Sequence, residues 1–113
     1  MTSRPFSVRG KRVVVVGAAR SGVAAAELLV RRGAQVTLSE ATTEIDAEER
    51  LRSAGVELEL GGHTEATLAA ADLVVLSPGV PSQQPAIDAA RRAGIPIIGE
   101  LDLASRWLRS QTG

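Results

Sequence analysis

Short apolar runs alternate with amphipathic segments along the chain. Two of these runs, residues 12–16 (RVVVV) and 73–76 (LVVL), lack alternating polar residues, which is typical of parallel strands buried on both faces. We therefore expect them side by side at the centre of a sheet. Three further strands are predicted at residues 35–39, 56–60 and 95–98. The third of the five strands, VELEL, alternates apolar residues with glutamates, which indicates an edge position.

Helical segments separate these strands. Residues 21–32 place apolar side chains at helical spacing and end at Gly33, a residue that favours the helix C-terminus. Parallel strands joined by helices need right-handed crossovers, which stack helices on both faces of the sheet. The pattern predicts a Rossmann-like, three-layer α/β/α fold with a five-stranded parallel sheet in the order 3-2-1-4-5. The remaining helices are predicted at residues 46–54, 64–70, 85–93 and 101–109, and residues 1–9 and 111–113 are expected to be loosely held ends.

Composition narrows the class of protein. A chain of 113 residues has room for one domain and one core, so we treat residues 1–113 as a single unit. Its 13 basic and 13 acidic side chains balance, and the chain therefore lacks the positive field of a nucleic-acid or anionic-membrane binder. No apolar run approaches the roughly 18 residues of a membrane span, and the first residues lack the apolar region of a signal peptide. We expect a cytoplasmic protein.

The residue inventory also limits metal chemistry. The chain has no cysteine and one histidine, His63, which excludes thiolate metal sites and a histidine-based catalytic metal centre. His63 follows a double glycine near the third strand. We expect it to lie away from the ligand site, in a loop or at a helix start, and we assign it no chemistry.

A glycine-rich turn, residues 17–22 (GAARSG), follows the first strand; we call it the glycine turn. It occupies the place of the dinucleotide fingerprint G-x-G-x-x-G, with Ala19 where the second glycine would let a pyrophosphate approach the backbone. The helix that follows presents free N–H groups and the Ser21 hydroxyl, which suit a phosphate. The alternative is structural, because any Rossmann-like turn needs Gly17 and Gly22 for tight packing.

Two more segments reach the same edge of the predicted sheet. Glu40 ends the second strand, where an acid in nucleotide-binding folds accepts hydrogen bonds from a ribose or base; alternatively it is a solvated loop carboxylate. Residues 77–81 (SPGVP), the proline loop, follow the fourth strand across the switch point. The prolines stiffen this loop and its glycine permits close backbone approach to a ligand, although an ordinary strand-to-helix turn is the alternative.

Other features carry no assignment. Glu100 follows the fifth strand and either faces the ligand site or favours the N-terminus of the last helix, and Trp107 is expected to pack in the core or against a neighbouring domain. No G-x-x-x-x-G-K-[ST] motif and no nucleophile elbow occur. On its own residues the domain is therefore expected to bind and not to catalyse.

Three segments resemble a known family: VVVVGAARSGVAAAELLVRRGAQVTLSE, ADLVVLSPGVP and AGIPIIGELDLA, in this order and spacing. They resemble the N-terminal domain of the MurD branch of the Mur ligases, over about residues 8–110. The resemblance rests on the combination of a G-x-x-x-[ST]-G turn, an S-P-G-[VI] loop and a G-[DE]-[LI]-[ED]-L segment, because the glycine turn alone is a weak signal.

The resemblance implies a function for the whole enzyme. Family members use one domain for the UDP end of the substrate, one for ATP and one for the incoming amino acid. With ATP and Mg²⁺ they phosphorylate the carboxylate of UDP-N-acetylmuramoyl-L-alanine, and the amine of D-glutamate attacks the acyl phosphate in peptidoglycan synthesis. We therefore expect a UDP-binding domain without a cofactor of its own. Its partners would be this substrate and the ATP-binding and amino-acid-binding domains of the ligase.

The resemblance also implies a role for the glycine turn. By position, Ser21 and the backbone of Arg20 and Gly22 would hold the diphosphate, with Gly17 forming the tight turn beneath it.

The uracil would lie on the two neighbouring loops. Glu40 and Ala41 would lie beside the base, and Ser77, Pro78 and Gly79 would cover the nucleotide from the other side. Many relatives have Asp-Thr where this chain has Glu-Ala, so a hydroxyl contact to uracil is absent here. The alternative functions are an NAD-binding domain of an oxidoreductase or regulatory module, in which the glutamate would bind the adenosine ribose, and a scaffold that binds no nucleotide.

Overall fold

The computed structural model describes residues 7–81 and 83–105. Strands and helices alternate as the sequence predicts, and residues 100–105 are helical at the end of the described part. Trp107 and the rest of the predicted last helix lie outside the described residues. The elements are β1 (Arg12–Val16), α1 (Arg20–Arg31), β2 (Gln35–Glu40), α2 (Glu48–Ala54), β3 (Glu57–Leu60), α3 (Glu65–Ala69), β4 (Leu73–Leu76), α4 (Pro85–Arg92) and β5 (Ile97–Gly99).

The five strands form one parallel sheet in the order β3-β2-β1-β4-β5. β1 and β4 are neighbours at its centre and β3 is an edge strand, so the predicted fold class and strand order are confirmed. Val16 pairs with Ser39 of β2 on one side and with Leu76 of β4 on the other. The carboxyl ends of these three strands therefore lie together, at what we call the carboxyl edge of the sheet.

The core has two halves, one on each face of the sheet. Val13 and Val15 of β1 belong to the half covered by α1 and α2, whereas Val14 and Val16 belong to the half covered by α3 and α4. Because successive side chains of a strand point to opposite faces, an unbroken apolar run can fill both halves. This packing fixes the carboxyl end of β1, from which the glycine turn leaves the sheet.

The boundaries of the elements differ from the sequence prediction by one or two residues at most ends. A larger difference concerns the N-terminus, where the sequence suggested that residues 1–9 are loosely held. Val8 is buried in the core and Gly10 donates its N–H to the carbonyl of Gly33 at 2.9 Å. A single apolar side chain between Ser7 and Arg9 was too weak a pattern to predict this contact. No helix of the described part is long and apolar enough to cross a membrane.

Candidate nucleotide site at the carboxyl edge of the sheet

Gly17 connects β1 to its two neighbouring strands. Its N–H donates to the carbonyl of Ser39 at 2.8 Å, and its carbonyl accepts the hydroxyl of Ser77 at 3.1 Å. Its φ of +106° is one that only glycine adopts easily, and a Cβ there would come within 2.7 Å of Val80. The predicted tight turn is therefore present, and both neighbouring strands hold it.

Gly22 lies five residues further on, in the first turn of α1. A Cβ at this position would collide with the carbonyl oxygen of Gly17 and approach the Ser77 hydroxyl to 2.6 Å. Close packing between α1 and the end of β1 thus requires glycine here, as the sequence predicts.

The N-terminus of α1 offers unpaired backbone donors. The helix begins at Arg20 after Ala19, and its first intrahelical bond runs from Val23 N–H to the Ala19 carbonyl at 3.0 Å. Within the described residues, the three N–H groups of residues 20–22 have no acceptor. The first turn itself holds no acidic side chain, and the Glu40 carboxylate contacts the N–H of Ala18, which precedes the helix, and not those of residues 20–22. These three N–H groups therefore stay available at the positive end of the helix. This is a suitable place for an anion.

Three side chains of the turn face solvent. Ala19, Arg20 and Ser21 are exposed, and no side chain caps the helix. Ala19 has an ordinary extended conformation with φ of −64°, so the turn does not need glycine there for its own geometry. Its exposed methyl group lies where a dinucleotide fingerprint has a glycine, which argues against the NAD-binding alternative.

Glu40 lies at the end of β2 and is bonded to the glycine turn. One carboxylate oxygen accepts the N–H of Ala18 at 2.8 Å, and the other accepts the N–H of Thr42 at 2.8 Å. Partial burial acts to raise the pKa of Glu40, but the hydrogen bonds from Thr42 and Ala18 outweigh it and hold the pKa below its ordinary value of 4.5. Glu40 thus joins the β2 end to the turn, while the neighbouring Ala41 is exposed.

The proline loop approaches from β4 with its serine turned inward. Ser77 is 3% exposed, and its hydroxyl contacts the Glu100 carboxylate at 2.6 Å as well as the Gly17 carbonyl. Since a hydroxyl carries one hydrogen, the two acceptors share it. Pro78 and Gly79 are exposed. The structure therefore brings all of the predicted site residues to one edge, with the Ser77 side chain facing the protein and the other two loop residues facing solvent.

A family model described as the N-terminal domain of MurD-like Mur ligases matches residues 11–99. The chain belongs to this family. The match covers the whole sheet and the three segments that converge at the carboxyl edge.

Relatives of the MurD-like domain carry the name UDP-N-acetylmuramoylalanine–D-glutamate ligase. The protein from Anaeromyxobacter dehalogenans is 50% identical over 103 residues, which are 89% of this chain and 22% of the relative. The protein from Koribacter versatilis is 45% identical over 106 residues, which are 91% of this chain and 23% of the relative. The chain therefore spans less than a quarter of the length of these ligases.

A solved structure shares the fold of the MurD-like domain. A pseudomurein peptide ligase type C from Methanothermus fervidus superposes with a TM-score of 0.75 at 22% identity, over 85% of this chain and 20% of the other. At this identity the match establishes the fold alone.

A groove of about 910 Å³ lies beside the glycine turn of the MurD-like domain. Ala18, Arg20 and Val23 form one wall, and residues 44–48 with Arg50 form the other. The groove thus extends the site from the start of α1 towards α2. A separate groove of about 500 Å³ lies elsewhere on the sheet and contains none of the predicted site residues.

The sequence placed His63 away from the site, and the structure corrects this. The ring Nδ1 lies 2.7 Å from the hydroxyl of Ser39, the residue that precedes Glu40. Ser39 is fully buried and also contacts Glu59 at 2.8 Å. The double glycine before His63 was the available signal, because it permits the sharp reversal that brings the histidine back to the sheet. In the described part of the chain, no group of three or more acidic or imidazole side chains is arranged to hold a metal ion.

Proposed function

We propose that this domain binds the UDP moiety of UDP-N-acetylmuramoyl-L-alanine. It would do so as the N-terminal part of a ligase that adds D-glutamate, which is the activity named for its relatives. The observation that carries the proposal is the set of three free N–H groups at residues 20–22, at the switch point of the sheet. A diphosphate is the part of this substrate that such donors would hold.

The surroundings of these donors support a nucleotide over a free phosphate. Ser21 is exposed beside them, and the groove next to Arg20 is large enough for the rest of a nucleotide. Exposed Ala41 and the exposed Pro78-Gly79 pair lie on the loops that follow β2 and β4. We assign the base to the side of Glu40 and Ala41, with the proline loop covering the nucleotide.

The chemistry of the ligase is assigned to parts of the enzyme outside this chain. ATP and Mg²⁺ would be needed to activate the substrate carboxylate, but the sequence has no P-loop and its described residues form no acidic metal site. These residues do not fit ATP or Mg²⁺. We therefore expect binding without turnover.

Calorimetric titration of the domain with UDP, UDP-N-acetylmuramoyl-L-alanine and NAD tests the proposal. The uridine ligands should bind with micromolar to millimolar dissociation constants, because one domain provides only part of the contacts of a whole enzyme. Ser21→Ala should weaken UDP binding by about 10- to 150-fold, since a hydrogen bond to a charged group contributes about 1.5–3 kcal/mol.

Ser53→Ala is the matched control, because Ser53 is an exposed serine of α2 away from the turn. It should bind UDP like the parent. Tighter binding of NAD than of either uridine ligand would contradict the proposal and favour the oxidoreductase alternative. If Ser21→Ala binds UDP as tightly as the parent, the Ser21 hydroxyl does not contact the ligand.

A further inference from the structure

The loop between β3 and α3, residues 61–64 (GGHT), folds back onto the end of β2. Gly61 donates its N–H to the carbonyls of Glu40 at 3.0 Å and Thr42 at 2.8 Å, and Gly62 donates to the Glu40 carbonyl at 3.2 Å. Both glycines have positive φ, +88° and +147°, which other residues rarely adopt. The backbone of Glu40 is therefore fixed by the β3–α3 loop as well as by the sheet.

A partly buried polar network lies under this loop. The Glu59 carboxylate accepts the Ser39 hydroxyl at 2.8 Å, the Thr67 hydroxyl at 2.7 Å and the Thr64 N–H at 3.0 Å. Partial burial acts to raise the pKa of Glu59, but these hydrogen bonds outweigh it and hold the pKa below its ordinary value. Glu59 is therefore ionised near neutral pH and acts only as an acceptor.

This arrangement assigns the protons of the network. Ser39 has one hydroxyl hydrogen, and the ionised Glu59 takes it as an acceptor. The Ser39 oxygen must then accept a hydrogen from His63, so Nδ1 carries a proton and donates at 2.7 Å. This tautomer is assigned from the hydrogen-bond network. His63 is thus locked through Nδ1, and its Nε2 has no partner among the described residues.

A serine, a histidine and a glutamate in contact resemble a catalytic triad, but the geometry excludes that reading. In a triad the histidine lies between the serine and the acid and removes the serine proton. Here Ser39 lies between His63 and Glu59, and it gives its hydrogen to the glutamate. Ser39 is also fully buried, so no substrate reaches its oxygen. The network holds structure in place and does not form a nucleophile.

The network acts on the residue next to Ser39. We propose that His63 is a positioning residue of the nucleotide site, which holds Ser39 and the β3–α3 loop so that Glu40 reaches the N–H of Ala18. Glu40 then fixes the glycine turn in the form that exposes the donors of residues 20–22. The effect of His63 on UDP affinity rests on the proposed function, whereas its effect on the contact between Glu40 and Ala18 does not.

Three His63 variants test the proposal. His63→Ala removes the bond to Ser39, His63→Asn keeps a donor near the position of Nδ1, and His63→Gln moves the donor towards Nε2. We expect His63→Ala and His63→Gln to lose about tenfold or less in UDP affinity, which matches the net contribution of one hydrogen bond. His63→Asn should restore most of the affinity.

The Ala18 amide provides a readout that does not depend on UDP. Its ¹⁵N and ¹H shifts in the ligand-free domain report the bond to Glu40. They should change in His63→Ala and His63→Gln, as they do in Glu40→Gln, and stay near the parent values in His63→Asn. Glu65→Gln is the control, because Glu65 is an exposed acid at the start of α3 without a partner in the described residues.

The outcomes separate the two proposals. If the parent binds no UDP, the proposed function fails, while the Ala18 shifts still decide the role of His63. If His63→Ala leaves the Ala18 shifts unchanged, or if the Asn and Gln variants behave alike, the positioning role is wrong. Urea unfolding of each variant measures any global loss of stability. If His63→Ala does not fold, the His63→Asn and His63→Gln variants still provide the comparison, because both carry a side-chain amide and differ only in where it lies.

Discussion

Ser39 lies near the end of β2 and Ser77 directly follows β4, so the two serines lie on opposite sides of the end of β1. Each is buried, each donates to a glutamate from another element, and each contacts Gly17. On the β2 side, Ser39 belongs to a network with Glu59 and His63 that has several donors for one carboxylate. On the β4 side, Ser77 has two acceptors for one hydrogen and no further donor in the described residues.

The difference shows that the two sides hold the turn by different means. Several independent contacts hold the end of β2, because Glu40, Glu59 and the β3–α3 loop all restrain it. On the β4 side, the Ser77 hydroxyl is the one side-chain group that hydrogen-bonds to the turn within the described residues. We therefore expect the β2 side to contribute more to stability and the β4 side to respond more readily to a ligand or a change in the last helix.

The largest expected effect comes from a substitution that disturbs the glycine turn itself. Gly22→Ala puts a methyl group against the Gly17 carbonyl and the Ser77 hydroxyl, so either α1 or the turn must shift. Overpacking of this kind costs about 1–3 kcal/mol, or more when backbone atoms collide. Urea unfolding should show this loss, and UDP binding should fall with it.

Gly99→Ala is the matched control for that substitution. Gly99 lies in β5 with no positive φ and with nothing within 4 Å of an added Cβ. It should unfold at nearly the parental urea concentration. An unchanged midpoint for Gly22→Ala would show that the close approach of α1 to the turn is not needed.

A smaller effect separates the two sides directly. Ser39→Ala removes a fully buried hydroxyl that both donates to Glu59 and accepts from His63, so two hydrogen bonds are lost and the unfolding free energy should fall by about 1–3 kcal/mol. Ser77→Ala should cost about 1 kcal/mol, because the Ser77 hydroxyl has a single hydrogen to donate and accepts none from the described residues. Equal losses, or a larger loss for Ser77→Ala, would contradict the proposed asymmetry.

The smallest expected effect is the change in unfolding free energy at acidic pH. The pKa values of Glu40 and Glu59 are lower in the folded protein than the ordinary 4.5, because hydrogen bonds favour their charged forms. A lowered pKa contributes stability that is present above the ordinary pKa and is lost as the pH falls through the folded value. Unfolding free energy should therefore decrease as the pH falls below about 4.5, and less steeply in Glu59→Gln.

Glu57→Gln provides the comparison for this pH series. Glu57 is an exposed acid on the same strand, and its carboxylate accepts no hydrogen bond within the described residues. Its acid slope should stay closer to that of the parent than the slope of Glu59→Gln does. If the two variants show the same slope, the β2-side network does not hold Glu59 in its charged form.

The sequence predicted the sheet well because apolar runs record burial. RVVVV and LVVL must be central strands, and the strand order followed from placing them together. Gly17 and Gly22 were identified for the same kind of reason, since a turn this tight leaves no space for a side chain. Both inferences depend on the local order of apolar residues and on the size of side chains, and both can be read from a single sequence.

The polar contacts of the site could not be predicted from the sequence. Ser39 ends a strand in a polar context, and its burial depends on a loop 22 residues later that folds over it. Glu40 was expected to meet a ligand, but its bond to Ala18 requires the spacing between two strand ends to be known. His63 was misplaced because nothing in its neighbours reveals the direction in which a double-glycine loop turns.

The fixing of Gly17 at both its N–H and its carbonyl has a consequence for how binding specificity can change. The frame of the site is buried and complete without a ligand, so a nucleotide would lose little affinity to the ordering of this turn. The groups left to choose among ligands are the exposed ones at Ala19, Ser21, Ala41 and Pro78. If the site binds UDP as proposed, substitutions at these exposed positions would change which ligand it prefers, while the buried frame keeps its shape.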